Sequence, residues 1–157
     1  MKKILFLAAL LGVHFCANAQ CKFIELSLLQ KMVFVTPKER VSILITQGFK
    51  FTTTVKDDIG MNQCYGACYI TYKDGYAAFE QNIVVQTDAA VTFQTLNKEN
   101  YLTIFTLLQK TKKYEGRSKQ YGEKFIDDTY IYSLMPMIAA YGIEQNHPRY
   151  IIAVSKK

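Results

Sequence analysis

The hydrophobic pattern of this chain moves from a helical period to a strand period and then makes the same move again. From Lys22 to Val33 apolar residues recur as on one helix face, with Ile24, Leu28 and Met32 four apart and Leu29 and Val33 beside them. Thr36-Pro37-Lys38-Glu39 then predicts a second helix. The threonine can accept at the N-cap, the proline suits the first turn and the glutamate stands at the capping-box position. Val41, Leu44 and Ile45 give this helix an apolar face, and Gly48 supplies the stop. From Phe49 the period falls to two. Phe49, Phe51, Thr53 and Val55 alternate with Lys50, Thr52, Thr54 and Lys56, which predicts a strand with one buried and one wet face. Strands from Gln63 to Tyr72 and from Tyr76 to Val85 flank Lys73-Asp74-Gly75, a hairpin signal. A turn near Thr87-Asp88 leads to a fourth strand, Val91 to Leu96.

The second half opens on Asn97 as a helix cap, with Tyr101, Ile104, Phe105 and Leu108 as the buried stripe and Leu102 and Leu107 widening it. Tyr114 to Gly122 reads as a weak strand or loop. Phe125 to Met135, Met137 to Glu144 and Arg149 to Val154 read as strands, punctuated by Pro136 and by Asn146-His147-Pro148. Connections this short make an antiparallel meander, because parallel pairing needs long crossovers. The expected fold is therefore α+β: an antiparallel sheet packed on one face by helices, in one domain of residues 20–157. Two tandem helix-then-strands halves, about 22–96 and 97–157, are the working plan. A shift of 65 residues would lay Phe49 on Tyr114, Tyr65 on Tyr130 and Tyr76 on Tyr141. The layout is similar to tandem helix-plus-sheet inhibitor modules of the β-lactamase inhibitory protein type, and to cystatin-like sheets wrapped on a helix. That likeness implies a binding role of inhibitor or immunity type.

The first 19 residues stand apart from this plan. Lys2 and Lys3 precede ten apolar residues, Ile4 to Val13, too few to span a bilayer, and Ala17-Asn18-Ala19 is a small-x-small cleavage signal. We read residues 1–19 as a signal peptide, and the mature chain as exported, periplasmic or extracellular, with no transmembrane segment. Neither Cys16 nor Cys21 follows a small residue, as a lipid-modified cysteine would. Of 19 Lys and Arg, removal of Lys2 and Lys3 leaves 17 against 13 acidic residues, a net +4. That is too little and too scattered for a nucleic-acid binder.

Export also frames the cysteines, since an oxidising compartment favours disulfides. Three remain in the mature chain, Cys21, Cys64 and Cys68, so at most one internal bridge forms. On one extended strand Cys64 and Cys68 would lie about 13 Å apart, too far to bond. They need a turn at Tyr65-Gly66-Ala67, or else Cys21 bridges to one of them.

Chemistry is sparse. His147 is the one histidine of the mature chain. A hydrolase using a Cys/His pair would have to join it to Cys21, Cys64 or Cys68. One histidine and a Cys-x3-Cys fall short of a zinc ligand set. Glycine-rich phosphate loops and Gly-x-Ser-x-Gly are absent, so neither a metal nor a cofactor is expected.

Tyrosines are the richer signal, with 11 in the chain and no tryptophan. Strand alternation puts Tyr65 and Tyr69, with Lys73, on one face, opposite Cys64, Gly66 and Cys68. Tyr114, Arg117 and Tyr121 lie in a basic stretch from Lys110 to Lys124 that suits an anionic partner. Helices cover one face of a sheet, so tyrosines left on the other would form a binding surface. The expected function is a secreted or periplasmic, non-catalytic binding module for a protein or cell-envelope ligand. Its binding residues would be Tyr65, Tyr69, Lys73, Tyr114, Arg117 and Tyr121. A small envelope hydrolase is the alternative.

Overall fold

A computed structural model describes residues 21–57, 60–86, 90–119, 122–137 and 142–157. The expected signal peptide, the Thr87-Asp88 turn and Tyr121 lie outside the described residues. Two helices, α1 (Leu26–Phe34) and α2 (Pro37–Thr46), precede four strands, β1 (Lys50–Asp57), β2 (Gly60–Thr71), β3 (Ala77–Gln86) and β4 (Ala90–Thr95). Helix α3 (Lys98–Thr111) precedes β5 (Lys113–Ser118), β6 (Gly122–Ile126) and β7 (Tyr130–Met137); a short 3-10 turn (Ile143–Asn146) leads into β8 (Arg149–Lys156). All eight strands join one antiparallel sheet in the order β1-β2-β3-β4-β8-β7-β6-β5.

Local sequence explains most of these boundaries. Thr36 accepts from the Glu39 N–H while the Glu39 carboxylate accepts from the Thr36 N–H, a complete capping box. Asn97 accepts from the Glu99 and Asn100 N–H groups at the start of α3. Helix α1 starts at Leu26, later than the apolar spacing suggests, because residues 21–25 run extended as a strap. Cys21 of the strap is bonded to Cys68, the Lys22 carbonyl accepts from Gln81, and both backbone groups of Ile24 pair with the buried Asn100 side chain. Arg40 is buried at the α1–α2 corner, where its Nε donates to the Met32 carbonyl at 2.8 Å. It thereby satisfies a carbonyl that the end of α1 would leave orphaned.

The second half departs from expectation in three places. The stretch expected as one strand from Phe125 to Met135 is a hairpin, β6 and β7, because Asp127 folds a tight turn by accepting from the Thr129 and Tyr130 N–H groups. Residues 113–118, read as a weak strand or loop, form an edge strand with a bulge at Glu115. The segment read as a strand from Met137 to Glu144 carries the 3-10 turn, and its residues 138–141 lie outside the described set. Pro136 sits inside β7, opposite Tyr150 and beyond the last β6 partner, Leu134. There its missing N–H costs no ladder bond.

The core lies between the helices and one face of the sheet. Val91 and Phe93 of β4, and Ile152 and Val154 of β8, are fully buried, as are Leu29 and Met32 of α1 and Leu108 of α3. Helices α1 and α3 both pack on β4 and β8, across the junction of the two meanders. Leu102 and Leu107 do not widen the α3 stripe; they stay exposed, on the side turned from the sheet.

Beneath α3, Tyr132 is fully buried. Its hydroxyl donates to Asp127 at 2.8 Å and accepts from Gln30 at 2.7 Å, while Lys112 reaches the same carboxylate at 2.6 Å. Burial works to raise the Asp127 carboxyl, but the bonds from Lys112, the Thr129 N–H, Tyr132 and the Tyr130 N–H outweigh it and hold the group well below its ordinary value. Burial first, and then the bond to Asp127, push the Tyr132 hydroxyl above the ordinary phenol range.

Two outcomes test this account. The bridge closes a 47-residue loop, which removes about 4 kcal/mol of unfolded-chain entropy. Cys68→Ser should lower the urea unfolding free energy by a comparable amount, and an unchanged midpoint would refute the bridge. Asp127 titrates lower folded than unfolded, so its contribution is complete above about pH 4 and is lost as pH falls below that. Asp127→Asn should cost about 2 kcal/mol at neutral pH. Its unfolding free energy should also fall less than the parent's between about pH 5 and pH 2.

Candidate functional site

The sheet has two unlike faces. Along β3 and β4 buried residues alternate with partly exposed ones. The register carries the buried set across the sheet, from Tyr65 through Ile83, Phe93 and Ile152 to Leu134. The other set runs from Cys64 through Val84, Thr92 and Ala153 to Ser133, with Gln86, Ala90, Ser155 and Ile131 in the next row. All of these are partly exposed, and the described helices pack on the opposite side. No Lys, Arg, Asp or Glu occupies either row over β2, β3, β4, β8 and β7.

Both outer edges are blunted in the same way. In β1 the pair Phe51–Tyr65 is followed by a bulge at Thr52, and in β5 the pair Tyr114–Phe125 is followed by a bulge at Glu115. Each aromatic pair is in ring contact, at 5.7 Å and 5.2 Å. The equivalent positions are thus 63 apart in sequence at these edges, where a uniform shift of 65 would have set Phe49 on Tyr114. Bulges at a free edge discourage pairing with another strand.

The nominated residues do not assemble into one site. Tyr65 is buried in the core at 4% exposure, whereas Tyr69 is 64% exposed. Strand alternation would keep them together, but Cys68 between them adopts φ 55°, held by its bond to Cys21 in the strap. Tyr69 then packs edge-on to Phe79, whose ring lies over Gly66. Lys73 is exposed in the β2–β3 turn. Tyr114 is exposed on the β5 edge and donates to Glu123 at 2.6 Å, and the same carboxylate meets Arg117 at 3.6 Å. Tyr76, Tyr101 and Tyr132 are buried too, so the uncovered face presents small, aliphatic and amide side chains with an aromatic corner at Tyr69 and Phe79.

His147 occupies a cluster that sequence spacing does not foretell. The Gly75 turn (φ 87°) lets Asp74 accept from the Tyr76 N–H and turn its second oxygen to His147 Nε2 at 2.6 Å. The imidazole packs against the Tyr72 and Tyr76 rings, at 4.1 Å and 4.5 Å, and those two rings meet each other at 5.9 Å. The bond to His147 first, and the Tyr76 N–H second, lower the Asp74 carboxyl. Arg149 beside it donates to the Phe79 carbonyl. The cluster clamps the segment before β8 onto the hairpin tip. Cys64 lies roughly 23 Å down β2 from the Thr71 end of that hairpin, and Cys21 and Cys68 are consumed in their bridge. The three cysteines and His147 therefore do not form the pair a Cys/His hydrolase would use. The contact spans 73 residues, and the only local signal was the Asp-Gly turn.

No protein-family model, curated protein or solved structure matches the chain.

The aromatic corner rests on Gly66, where a Cβ would come within 2.5 Å of the Phe79 ring. Gly66→Ala should displace Phe79 and cost about 1–3 kcal/mol. The Tyr69 and Phe79 ring resonances should shift while those of Tyr132 stay put, as read by aromatic NMR.

Proposed function

We propose that the protein is an exported, non-catalytic binding module that seats a protein partner on the uncovered face of its sheet. Within it, residues 22–96 and 97–157 act as two tandem helix-then-strands halves that together make one wide platform. The observation that carries the reading is the charge-free band across five of the six inner strands, β2 to β7 in sheet order, in a chain one fifth of whose residues are charged. Depletion of charge is the compositional mark of the central patch of a protein–protein interface. Five strands at about 4.8 Å spacing make this band roughly 19 Å wide. Two rows of side chains on it give on the order of 300 Å², the size of the desolvated centre of an interface whose rim takes up the rest of the ~800 Å² that each partner buries. Such a surface suits a neutral protein surface better than a polyanion.

Other features agree with this assignment. The Cys21–Cys68 bridge suits an oxidising compartment. No described helix is long and apolar enough to cross a membrane. Bulged edges turn recognition away from strand addition and toward the face. An inhibitor or immunity-type role is one form of this reading.

Photoreactive side chains test it. Placed at Thr92 or Ala153 on the band, they should yield protein adducts in the native culture, and placed at Thr103 on the exposed side of α3 they should not. Replacing Thr92 and Ala153 together by arginine should abolish capture at an unchanged thermal midpoint. Equal adduct yields from Thr103, or capture that survives the arginines, would overturn the assignment.

A further inference from the structure

On the helix side of the sheet the two halves are covered unequally. Helices α1 and α3 are shared, both packing on β4 and β8, and α1 reaches β7 where Gln30 donates to Tyr132 and Phe34 meets Tyr130. Between Phe105 of α3 and the β5 edge a cleft of about 650 Å³ opens over the ends of β5, β6 and β7. That volume falls within the usual range for small-molecule sites.

The walls of the cleft differ in chemistry. One side is apolar. Buried Tyr101 stacks in parallel with partly exposed Phe105 at 6.1 Å, and the Pro136 ring continues that surface above fully buried Leu134. Gly122, at φ 67°, closes the end against β7; a Cβ there would stand 2.1 Å from the Leu134 carbonyl oxygen, so only glycine allows this approach. The opposite side is the β5 edge, with Arg117, Ser118 and Lys119. Glu123, the one acidic residue in the lining, already accepts from the Tyr114 hydroxyl and meets Arg117 Nε at 3.6 Å. The Arg117 side chain nonetheless remains 71% exposed. Along the β5–β6 hairpin Lys113, Arg117, Lys119 and Lys124 stand against Glu115 and Glu123, a net +2.

We propose that this cleft binds a small amphipathic anion, with the apolar body of the ligand against Phe105 and Pro136, over buried Tyr101 and Leu134, and its carboxylate or sulfonate on Arg117 and Lys119. Arginine presents paired N–H donors that match such a head group. A second groove of similar size, about 640 Å³, runs between the strap and α3. Its lysine, Lys112, is already paired with Asp127 at 2.6 Å, so an anion is drawn to the Arg117 cleft instead. The proposal is independent of the sheet face and of any partner seated there.

Fluorescence titration with anilinonaphthalene sulfonate, and with its neutral analogue phenylnaphthylamine, tests it on the full mature chain. Arg117→Glu sits on an exposed edge strand and should fold normally. It should weaken the sulfonate at least tenfold and leave the neutral probe within twofold. Phe105→Ala should weaken both probes. Decanoate should displace the bound sulfonate, and decanol should do so far less well. In the parent protein the Leu134 methyl resonances should shift on binding. If Arg117→Glu affects both probes alike or neither, or if the shifts fall on Ile24 and Leu107 of the other groove, the proposal fails.

Discussion

The pairing of β4 with β8 is the constraint on which the rest depends. Six residue pairs, from Ala90–Ser155 to Thr95–Tyr150, join two meanders that each consist of neighbouring strands. Within each meander the contacts are local hairpins, whereas this seam brings together residues some 60 positions apart and must be bought with loop-closure entropy. What offsets that cost is concentrated at the seam. Val91, Phe93, Ile152 and Val154 are all fully buried there, and α1 and α3 both lie across it. Full burial of side chains of this size stabilises by about 1.5–3 kcal/mol each. The strap adds a second link between the halves, because Ile24, joined to β2 through Cys21 and to β3 through Lys22, is held on α3 by Asn100. Asn100 and Gln81 are buried polar groups, and satisfying them ties the strap to one register, since any slip would leave their amides unpaired.

Once the seam forms, the surfaces follow. A sheet whose two ends are both free is open to strand addition at β1 and β5. The chain meets that exposure with matching devices, an aromatic pair followed by a bulge, Phe51–Tyr65 then Thr52 and Tyr114–Phe125 then Glu115. Edge recognition is discouraged at both ends. The helix layer consumes one face, and the remaining face keeps amides, hydroxyls and small aliphatic groups without charge over five strands. A face of that composition is wettable enough to stay soluble alone and cheap enough to desolvate against a partner.

Much of this was legible in the residues. The capping box at Thr36–Glu39, the Asn97 cap, the Asp-Gly hairpin and the α+β antiparallel class all rest on short-range chemistry, which a sequence carries in the open. The misreadings share a different cause. Tyr65 and Tyr69 look like face-mates by period two, yet the disulfide strap holds Cys68 at positive φ between them, a contact 47 residues distant. Phe125 to Met135 looks like one strand because Asp127 reads as a solvated charge. In the fold it caps a turn and anchors Tyr132 and Lys112. His147 looks like a loop histidine, and its partner Asp74 comes from the other half. In each case a polar or sulfur group takes a specific partner, two of them far along the chain and one in a turn, where periodicity has nothing to say.

The unequal covering of the two halves gives the last step. Two meanders built alike would bury their helix-side faces equally if each had the same helical cover, yet α1 and α3 both straddle the seam and a cleft opens between Phe105 and the β5 edge. The residues of the second half respond to that deficit. Tyr101 and Phe105 stack along the rim of the exposed strip, and Tyr114 and Arg117 both fall on Glu123 from the β5 edge. A half that needed only stability would fill the strip with aliphatic side chains. Here it is bounded by aromatic rings on one side and by cations on the other, a pairing that suits a ligand with an apolar body and an anionic head. The halves therefore share a strand plan, four antiparallel strands each, while their helix-side surroundings differ. The first supplies the clamp of strap, disulfide and hairpin that fixes the platform, and the second keeps a cleft open beside it.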